Sequence, residues 1–540
     1  MMFRGVGKNV NPDFNRRSRR VHRGAAFALL ASAALSLSAP GWAQPQPSTE
    51  IEAAVRSAAR GDREVVQFYR ARGYRPIWVR DGALGSEARQ FLHLLESAEA
   101  DGLDPRAYRA NAIAEAIEAA EGGAPRALGR AEWLLSTTFA NYVRDVRQHR
   151  DMGVVYTEAH LRPIIPTKTA VLNMAAGAPS LQAWLESVGW MNPIYAQLRG
   201  ALAAQIGVDT ERPQVHVPSG PILRPGSSDP RVRLLRARLG MAPDGPYDRA
   251  LQNAVREVQA AHGLPRDGLA GPLTLAILNR GSREQHQLLR LNLERARALP
   301  SQLGRRYVLV DAAAARLWMY EDGRAVDSMR VVVGKPSEPT PMMAATIRYL
   351  TLNPYWNIPQ DLVRRRVAEG ALREGPSFLA GRRYEIMSDW TDDAVRVDPA
   401  SIDWRAVAAG RQELRVRQLP GPDNAMGRMK FMFPNELGVY LHDTPDRALL
   451  REEGRLFSSG CVRLEDAPRL ARWLFGETPR AAGSAPEQRV DLPEPVPVYL
   501  TYMTAAPEPD GVALRHDVYN RDPVQLAALD APAPRERRKR

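Results

Sequence analysis

The sequence predicts a multidomain α+β protein, with a helical N-terminal domain, a compact three-helix unit and a mainly β domain that carries a helical insertion. At 540 residues the chain is too long for one ordinary hydrophobic core. Apolar residues recur at helical spacing in residues 51–215 and at strand spacing from Arg306 onwards. A passage rich in Pro and Gly at residues 218–225 marks the end of the first helical region.

The composition argues against several classes of protein. With 44% hydrophobic and 25% charged residues, the chain has an ordinary globular composition, neither disordered nor embedded in a membrane. The formal net charge of +13 is concentrated at the two ends, with +6 in residues 1–43 and +4 in residues 535–540. The body between them is nearly balanced, so we expect no nucleic-acid partner. Residues 526–540 are predicted to form a disordered basic tail.

The N-terminus has the pattern of a signal peptide covering residues 1–43. A basic segment at 16–23 precedes an apolar, Ala/Leu-rich segment at 24–39, and Gly41-Trp42-Ala43 is a small-x-small cleavage site. The apolar run is shorter than the roughly 20 residues that span a bilayer; an uncleaved membrane anchor is the alternative. No later segment is long and apolar enough to span, so we expect an exported mature chain without a transmembrane helix.

Two units precede the β domain. Residues 44–216 are predicted to form a helical scaffold domain, because Phe91, Leu94 and Leu95 repeat at helical spacing and nothing in the region suggests catalytic chemistry. Residues 217–283 contain the ordered string D-G, Q, H-G-L, D-G, G, T and L-N, which resembles the three-helix peptidoglycan-binding domain. A small helical spacer is the alternative. Three helices are expected here. The first begins at Asp229-Pro230, and the other two cover 247–262 and 273–278.

Residues 302–525 are predicted to form the mainly β domain, with hairpin signals at Glu321-Asp322-Gly323 and at 508–511. A polar, helix-rich insertion at about 361–427 is long enough to act as a lid over a cleft. The expected strands are 307–310, 316–320, 328–333, 349–352, 439–441 and 496–502.

The sequence contains one cysteine, Cys461, so no disulfide can form within the chain. A free thiol in an oxidising compartment calls for a chemical reason, and the alternative is a buried cysteine that serves as a small hydrophobe. Histidine is the usual base for a thiol, and the β domain contains His442 and His516. His442 follows a predicted strand, where scaffolds display reactive groups, whereas a surface ion pair accounts for His516 beside Arg515 and Asp517.

The neighbours of Cys461 favour a reactive thiol. Gly460 lets the backbone approach a substrate and direct N–H groups at a developing oxyanion. Arg463 alternates onto the same face of an extended segment as Cys461. Its guanidinium could lower the pKa of the thiol or bind a substrate carboxylate through two hydrogen bonds. Asp466 is expected to cap a helix that runs to Phe475.

Two stretches here, YLHDTP at 440–445 and FSSGCVRLED at 457–466, resemble the signature of YkuD-type L,D-transpeptidases. In that family a strand-end His precedes an S-H-G-C or S-S-G-C nucleophile motif followed by Arg. The domain order resembles the large periplasmic murein L,D-transpeptidases that carry a peptidoglycan-binding domain. Two departures are Ser459, where many members have His, and Asp466, where Asn is frequent.

The resemblance implies a fold, a chemistry and a set of site residues. Cys461 is implied to be the nucleophile and His442 its base, with the backbone carbonyl of Asp443 completing the triad. No metal or other cofactor is implied. The residues implied to bind the substrate or the oxyanion are Gly460, Ser459 and Arg463.

The implied reaction is two-step acyl transfer on peptidoglycan stem peptides in the periplasm, in the service of cell-wall biogenesis and cell shape. A thioester on Cys461 forms with loss of D-Ala, and a diaminopimelate amine resolves it into a 3→3 cross-link. Carbapenems are implied to acylate the same thiol, and other cell-wall synthesis proteins are possible partners. Two alternatives stay open: an L,D-carboxypeptidase or endopeptidase on the same scaffold, and a wall-binding scaffold without catalysis.

Overall fold

A computed structural model describes residues 49–204, 215–262, 264–279, 282–452, 454–508 and 511–530. The predicted signal peptide, residues 1–43, lies outside the described residues, as do residues 531–540 of the predicted tail. The predicted fold class is confirmed: a helical domain and a three-helix unit precede a mainly β domain.

The helical domain is packed around aromatic side chains. The ring of Phe139, on the longest helix, lies 5.2 Å from that of Phe91 and 5.5 Å from that of Trp190, centroid to centroid. Edge-to-face contacts of this kind add to the free energy of burying the rings. The elements are α1 (Thr49–Ala58), α2 (Arg63–Ala71), β1 (Val79–Arg80), β2 (Ala83–Leu84), α3 (Ser86–Glu96), α4 (Ala110–Ala120), α5 (Pro125–Val146), β3 (Val155–Tyr156), α6 (Lys168–Gly177), α7 (Leu181–Glu186) and α8 (Pro193–Ala203).

The three-helix unit has its own small hydrophobic core around Leu235, Leu251 and Val255. The side chain of Gln259 closes the unit, because its amide nitrogen donates to Asp267 at 2.7 Å and its oxygen accepts from the amide of Gly268 at 2.8 Å. The three predicted helices are present with small shifts at their ends. They are α9 (Arg231–Arg238), α10 (Arg249–Ala261) and α11 (Pro272–Leu278).

A further helix, α12 (Ser282–Arg297), connects the three-helix unit to the β domain and was not predicted. Its polar side chains are buried against both large domains. Asn292 donates to Thr504 at 3.0 Å and Arg295 pairs with Asp522 at 2.7 Å, while Arg297 donates to the carbonyl of Asp101 at 2.7 Å. Helical sequence patterns do not reveal such a helix, because its buried face is lined with arginines rather than with apolar residues alone.

The β domain is a sheet closed on itself. Strand order is β12-β13-β15-β6-β5-β4-β16-β7, and β12 also pairs with β7, which completes the circuit. Strand β3 of the helical domain joins β7 in parallel, so the two domains share one sheet. The strands are β4 (Arg306–Asp311), β5 (Arg316–Glu321), β6 (Arg324–Gly334), β7 (Met343–Leu352), β8 (Trp356–Asn357), β9 (Tyr384–Met387), β10 (Arg396–Val397), β11 (Arg415–Gln418), β12 (Met429–Met432), β13 (Leu441–His442), β14 (Leu456–Ser458), β15 (Val462–Leu464), β16 (Gln488–Thr501), β17 (Ala505–Glu508) and β18 (Gly511–Leu514).

The insertion at 361–427, called the lid insertion below, was predicted to be helix-rich, and it contains helices together with strands that the sequence did not indicate. It contains most of a four-stranded antiparallel sheet in the order β10-β9-β11-β8. Val416 pairs with Ile386 across 30 residues of chain, and both are buried; a pairing so distant leaves no local signal. Its helices are α13 (Gln360–Leu362), a π-helical segment (Val363–Ala368), α14 (Glu369–Glu374), α15 (Pro376–Gly381) and α16 (Trp404–Ala408).

The two C-terminal helices confirm one prediction and correct another. Helix α17 (Ala467–Phe475) begins at Asp466, whose carboxylate accepts from the amide of Arg469, as predicted. Helix α18 (Asp522–Asp530) runs into the predicted disordered tail, so that prediction is wrong for residues 526–530. Arg150 donates to the carbonyls of Ala528 and Leu529, which satisfies the helix end. Among the described residues, no helix has the length and hydropathy to cross a membrane.

Asp101 gives a test of what holds the helical domain together. Its buried carboxylate accepts from Tyr142 and Tyr195 at 2.7 Å and from Arg199 at 3.0 Å. Asp101→Asn leaves the buried guanidinium without its counter-charge, so we expect a loss of about 3–5 kcal/mol in the free energy of unfolding. Urea unfolding followed by tryptophan fluorescence measures it.

The control for Asp101→Asn is Arg89→Gln, which breaks an exposed ion pair with Glu121. Exposed pairs contribute little because water and salt screen them, so this variant should unfold like the wild type. Equal midpoints for all three proteins would contradict the assigned role of Asp101.

Candidate active site

The register of two short strands brings the predicted reactive residues together. Strand β13 pairs in parallel with β15, with Leu441 opposite Val462 and His442 opposite Arg463. The amide of Val462 donates to the carbonyl of Tyr440 at 2.9 Å and extends this pairing by one residue. Because side chains alternate along strands, His442 and Arg463 share a face with Cys461. His442 lies within β13, whereas the sequence predicted a strand at 439–441 that ended before it.

The histidine is held in one tautomer. The ring of His442 is buried, and its Nδ1 lies 2.6 Å from the carbonyl oxygen of Asp443. A carbonyl only accepts, so Nδ1 carries the hydrogen and Nε2 carries the free lone pair. Burial, with the nearby Arg463 and Lys430 cations, lowers the pKa of His442 to about 3. The imidazole is therefore neutral at physiological pH and able to accept a proton.

The Asp443 carboxylate faces away from the ring. It accepts from the amide of Arg428 at 3.0 Å and from the guanidinium of Arg447 at 3.1 Å. Gly427, at φ +62°, lies so close that a Cβ there would meet this carboxylate at 2.5 Å. The carboxylate thus fixes the turn after β13, and only the carbonyl of Asp443 contacts the imidazole.

The thiol of Cys461 is partly buried, and its Sγ lies 3.5 Å from the carbonyl oxygen of Gly438. Burial raises the pKa of the thiol, while the amide of Tyr440 and the Lys430 and Arg463 cations act in the opposite direction. Burial is the largest of these effects, so the resting thiol is protonated. The site at rest is a neutral thiol beside a neutral imidazole.

The turn that presents Cys461 is fixed by hydroxyl groups. Gly460 has φ +102°, a conformation that favours glycine. Its carbonyl accepts from Thr340 Oγ1 at 2.9 Å, and the same hydroxyl accepts from the amide of Gly334 at 2.9 Å. Ser458 Oγ accepts from the amide of Gly460 at 3.2 Å and donates to the carbonyl of Cys461. The Gly460 amide, which the sequence offered as a second oxyanion donor, is therefore already engaged.

Ser459 is exposed, and its hydroxyl hydrogen-bonds to the carboxylate of Glu338. The Lys335 ammonium, at 2.7 Å, and then the Ser459 hydroxyl hold the pKa of Glu338 below its usual value. Arg365 of the lid insertion also lies 3.5 Å from this carboxylate. Ser459 thus belongs to a polar contact between the nucleophile turn and the lid insertion.

Two residues of the site, Lys430 and Tyr440, were not identified from the sequence. Lys430 faces His442 across the antiparallel pair β12–β13, and its Nζ lies 3.7 Å from the centroid of the Tyr440 ring. Burial lowers the pKa of Lys430, and the nearby Cys461 opposes that effect. Alternation places Tyr440 on the same face as His442. Only the register of β12, which no local motif encodes, would have identified Lys430.

A cleft of about 630 Å³ lies between the lid insertion and the loops that carry the reactive residues. Arg463, Thr444 and Asp446 line one wall, and Trp356, Arg366 and Tyr384 line the other. A larger cavity of about 710 Å³ lies between α8 and strands β4 and β5, far along the chain from Cys461. We place the chemistry in the smaller cleft because the thiol turn borders it. Within the described part of the chain, no group of three His, Cys, Asp or Glu residues is arranged to hold a metal ion.

Comparisons with known proteins find three domain families in the chain. Residues 305–490 match the "L,D-transpeptidase catalytic domain" of the YkuD family, residues 231–278 a "putative peptidoglycan binding domain" and residues 63–202 a "scaffold domain". A "putative L,D-transpeptidase" of Haemophilus influenzae is 33% identical over 252 residues, which cover 45% of this chain. The match spans about half, 50%, of the length of that relative.

Two solved L,D-transpeptidase structures are similar to parts of the chain. The one from Xylanimonas cellulosilytica is 19% identical and covers 54% of this chain and 100% of its own, with a TM-score of 0.18. The one from Stackebrandtia nassauensis is 15% identical and covers 52% and 96%, with a TM-score of 0.19.

The family matches and the site together define a multidomain protein built around a peptidoglycan-directed domain. The chain carries a YkuD L,D-transpeptidase catalytic domain together with a peptidoglycan-binding domain and a scaffold domain. The matched ranges lie within the predicted domains 44–216, 217–283 and 302–525, whose boundaries stay predictions.

The electrostatics of the thiol can be tested by alkylation. Lys430→Met removes a cation that favours the thiolate, so the pKa of Cys461 should rise and the rate with iodoacetamide at pH 8 should fall by roughly tenfold per pKa unit. Because the pKa of His442 is about 3, the profile between pH 6 and 10 should show one inflection, that of the thiol.

The matched control for Lys430→Met is Arg428→Gln, which removes an exposed cation two residues earlier. Its alkylation profile should overlay that of the wild type. If Lys430→Met also overlays the wild type, Lys430 does not act on the thiol.

Proposed function

We propose that this protein is an exported peptidoglycan L,D-transpeptidase that forms 3→3 cross-links through a thioester on Cys461. The observation that carries the proposal is the neutral His442, locked by the Asp443 carbonyl and placed by strand pairing on the face that also carries Cys461. A neutral imidazole with a free Nε2 is the base that a protonated thiol needs. The peptidoglycan-binding domain supports peptidoglycan as the substrate.

In the first half-reaction, Nε2 of His442 takes the proton of Cys461 as Sγ attacks the carbonyl of the third residue of a donor stem. Lys430 and Arg463 stabilise the negative charge that appears at the sulfur and moves to the carbonyl oxygen. The backbone N–H of Cys461 is the proposed oxyanion donor. When the tetrahedral intermediate collapses, the imidazolium gives its proton to the departing amine of D-Ala, and a thioester remains on Cys461.

In the second half-reaction, the side-chain amine of a diaminopimelate on another stem attacks the thioester. His442 takes a proton from that amine, the new amide forms, and Cys461 leaves as a thiolate that recovers the proton from the imidazolium. Proton uptake and release balance over the cycle. Water in place of the amine gives hydrolysis, so acceptor choice decides between the transpeptidase and the carboxypeptidase alternative.

The signal pattern at 1–43 and the matches to an L,D-transpeptidase catalytic domain and a peptidoglycan-binding domain support a proposed location in the periplasm. An enzyme that handles cross-links must be exported to reach its substrate.

The assignment of nucleophile and base gives a direct prediction. Cys461→Ala should fold but form no cross-linked muropeptides, and a carbapenem should add once to the wild type and not to this variant. His442→Ala should lose activity by about 10²–10⁴-fold because it removes the base. Mass spectrometry of digested wall material and of the intact protein gives both readouts.

His516→Ala is the control, because His516 lies beyond β18 and outside the β13–β15 pair. It should keep wild-type turnover. Cross-linking by Cys461→Ala above a few per cent of wild type would refute the nucleophile, and equal losses for both histidine variants would refute the base.

The lid insertion is proposed to exclude water from the thioester. The amide of Asn353 donates to the carbonyl of Arg428 at 3.2 Å, so these two points of the chain lie side by side. A short Gly/Ser link from 353 to 428 can therefore replace the lid insertion together with residues 354–360. Acylation of Cys461 by a carbapenem should persist, while the products shift from cross-linked dimers towards hydrolysed tripeptides. The dimer-to-tripeptide ratio from wall digests measures the shift.

The control for this deletion is the same protein with Cys461→Ala, which should show neither an adduct nor products. An unchanged ratio at full acylation would mean that the lid insertion does not govern acceptor choice.

A further inference from the structure

Two arginines from different parts of the fold meet in the cleft without an anionic partner. Arg463 comes from β15, beside the thiol turn, and Arg366 comes from the π-helical segment of the lid insertion. Both side chains line the same cleft of about 630 Å³. They therefore stand on the two sides of the cleft that a substrate would occupy.

The charge of Arg463 is not neutralised by the described residues around it. Its Nε is buried, and no described group accepts a hydrogen bond from it. Asp446 is the acidic group with the largest influence on it, yet lies outside the 4.0 Å range of an ion pair. Burial has the largest effect on the pKa of Arg463 and lowers it, Asp446 and Cys461 oppose that effect, and Arg366 lowers the pKa by a smaller amount.

Arg366 differs from its neighbours on the lid insertion. Arg365 pairs with Asp361 and with Glu338, and Arg373 pairs with Glu374. Among the described residues, Arg366 has neither an ion pair nor a hydrogen bond from its guanidinium. Buried Val363 and Val367 anchor the π-helical segment in the core of the lid insertion, and such segments often mark functional sites. Arg366 is exposed and lines the cleft, and its place on this segment leaves the guanidinium available to an anion there.

We infer that Arg366 and Arg463 form a clamp for one carboxylate of the donor stem peptide, an inference that rests on the proposed function. With the carboxylate bound, the clamp joins the lid insertion to the nucleophile strand. A guanidinium matches a carboxylate through two parallel hydrogen bonds. Two such groups that face each other repel until an anion lies between them. The clamp therefore makes closure of the lid insertion depend on an acidic donor.

The position of Arg463 limits which carboxylate can be bound. It lies two residues beyond Cys461 on an extended segment, about 7 Å away at the backbone. The bound carboxylate must then lie within a side chain's reach of the attacked carbonyl. The clamp is assigned to one of the two carboxylates on the residues that flank the bond to be broken: the terminal one of D-Ala, which departs, or that on the side chain of diaminopimelate, which stays.

The test uses the full-length protein and three synthetic tetrapeptide donors: the free acid, the D-alaninamide and the diaminopimelate amide. Release of the fourth residue gives kcat and KM for wild type, Arg366→Gln and Arg366→Lys. Arg364→Gln is the control, because this substitution removes the same charge from the same segment at a residue that does not line the cleft.

We expect kcat/KM of the wild type to fall by at least about tenfold for one of the amides, as for the loss of a charged hydrogen-bonded pair. That amide identifies the bound carboxylate. Arg366→Gln should lower kcat/KM for the free-acid donor by a similar factor, mainly by raising KM, and should leave kcat/KM for that amide donor unchanged. The preference for the acid over that amide then disappears. Arg366→Lys should show part of this preference for the acid donor, and Arg364→Gln should show all of it.

Two outcomes would overturn the clamp: a wild type that turns over all three donors equally, or an Arg366→Gln that slows acid and amides by the same factor. A wild type that releases nothing from any donor would instead refute the proposed function itself. The two failures are therefore distinguishable in one set of measurements.

Discussion

The reactive site depends on a parallel pairing only two residues long. Strand β13 meets β15 through Leu441 opposite Val462 and His442 opposite Arg463, and a parallel pair this short is not stable alone. It is held from both sides: β12 pairs with β13 and also with β7, which closes the sheet, and β6 pairs with β15. The closed sheet therefore sets the geometry of the imidazole and the thiol, and the loops add only the final orientation.

The same strand faces set the electrostatics. Lys430, His442 and Arg463 lie on neighbouring strands of one face, so two cations surround an imidazole that must stay neutral to act as a base. They lower the pKa of His442 and also oppose the rise that burial causes in the pKa of Cys461. Because burial is the stronger effect on the thiol, the resting pair is neutral. The cations then act mainly on the charge that develops during attack.

Sequence reasoning identified what local chemistry reveals. Cys461 was found because it is the sole thiol, His442 because of its place beside a strand, and Arg463 by alternation from Cys461. The domain order and most strands of the β domain were also predicted. These features depend on spacing within a few residues.

Features that depend on long-range pairing were missed. Lys430 enters the site through the register of β12, and Thr340 reaches the nucleophile turn across 120 residues of chain. Ser458 holds the turn, whereas Ser459 is exposed and hydrogen-bonds to Glu338. Helix α12 was missed because its buried face is lined with charged residues that only two partner domains together can satisfy.

The packing of the lid insertion explains why a ligand can control it. Its buried residues, including Val363, Phe378 and Val416, form a hydrophobic cluster separate from that of the closed sheet. Its contact with the nucleophile turn runs through the Glu338 carboxylate, which Arg365 reaches at 3.5 Å at the surface. A partly exposed pair of this kind contributes about 1 kcal/mol or less, whereas breaking up the cluster would cost far more. The lid insertion therefore keeps its own structure while its contact with the nucleophile turn is weak. A ligand that contacts both sides of the cleft needs only a small difference in affinity to change that contact.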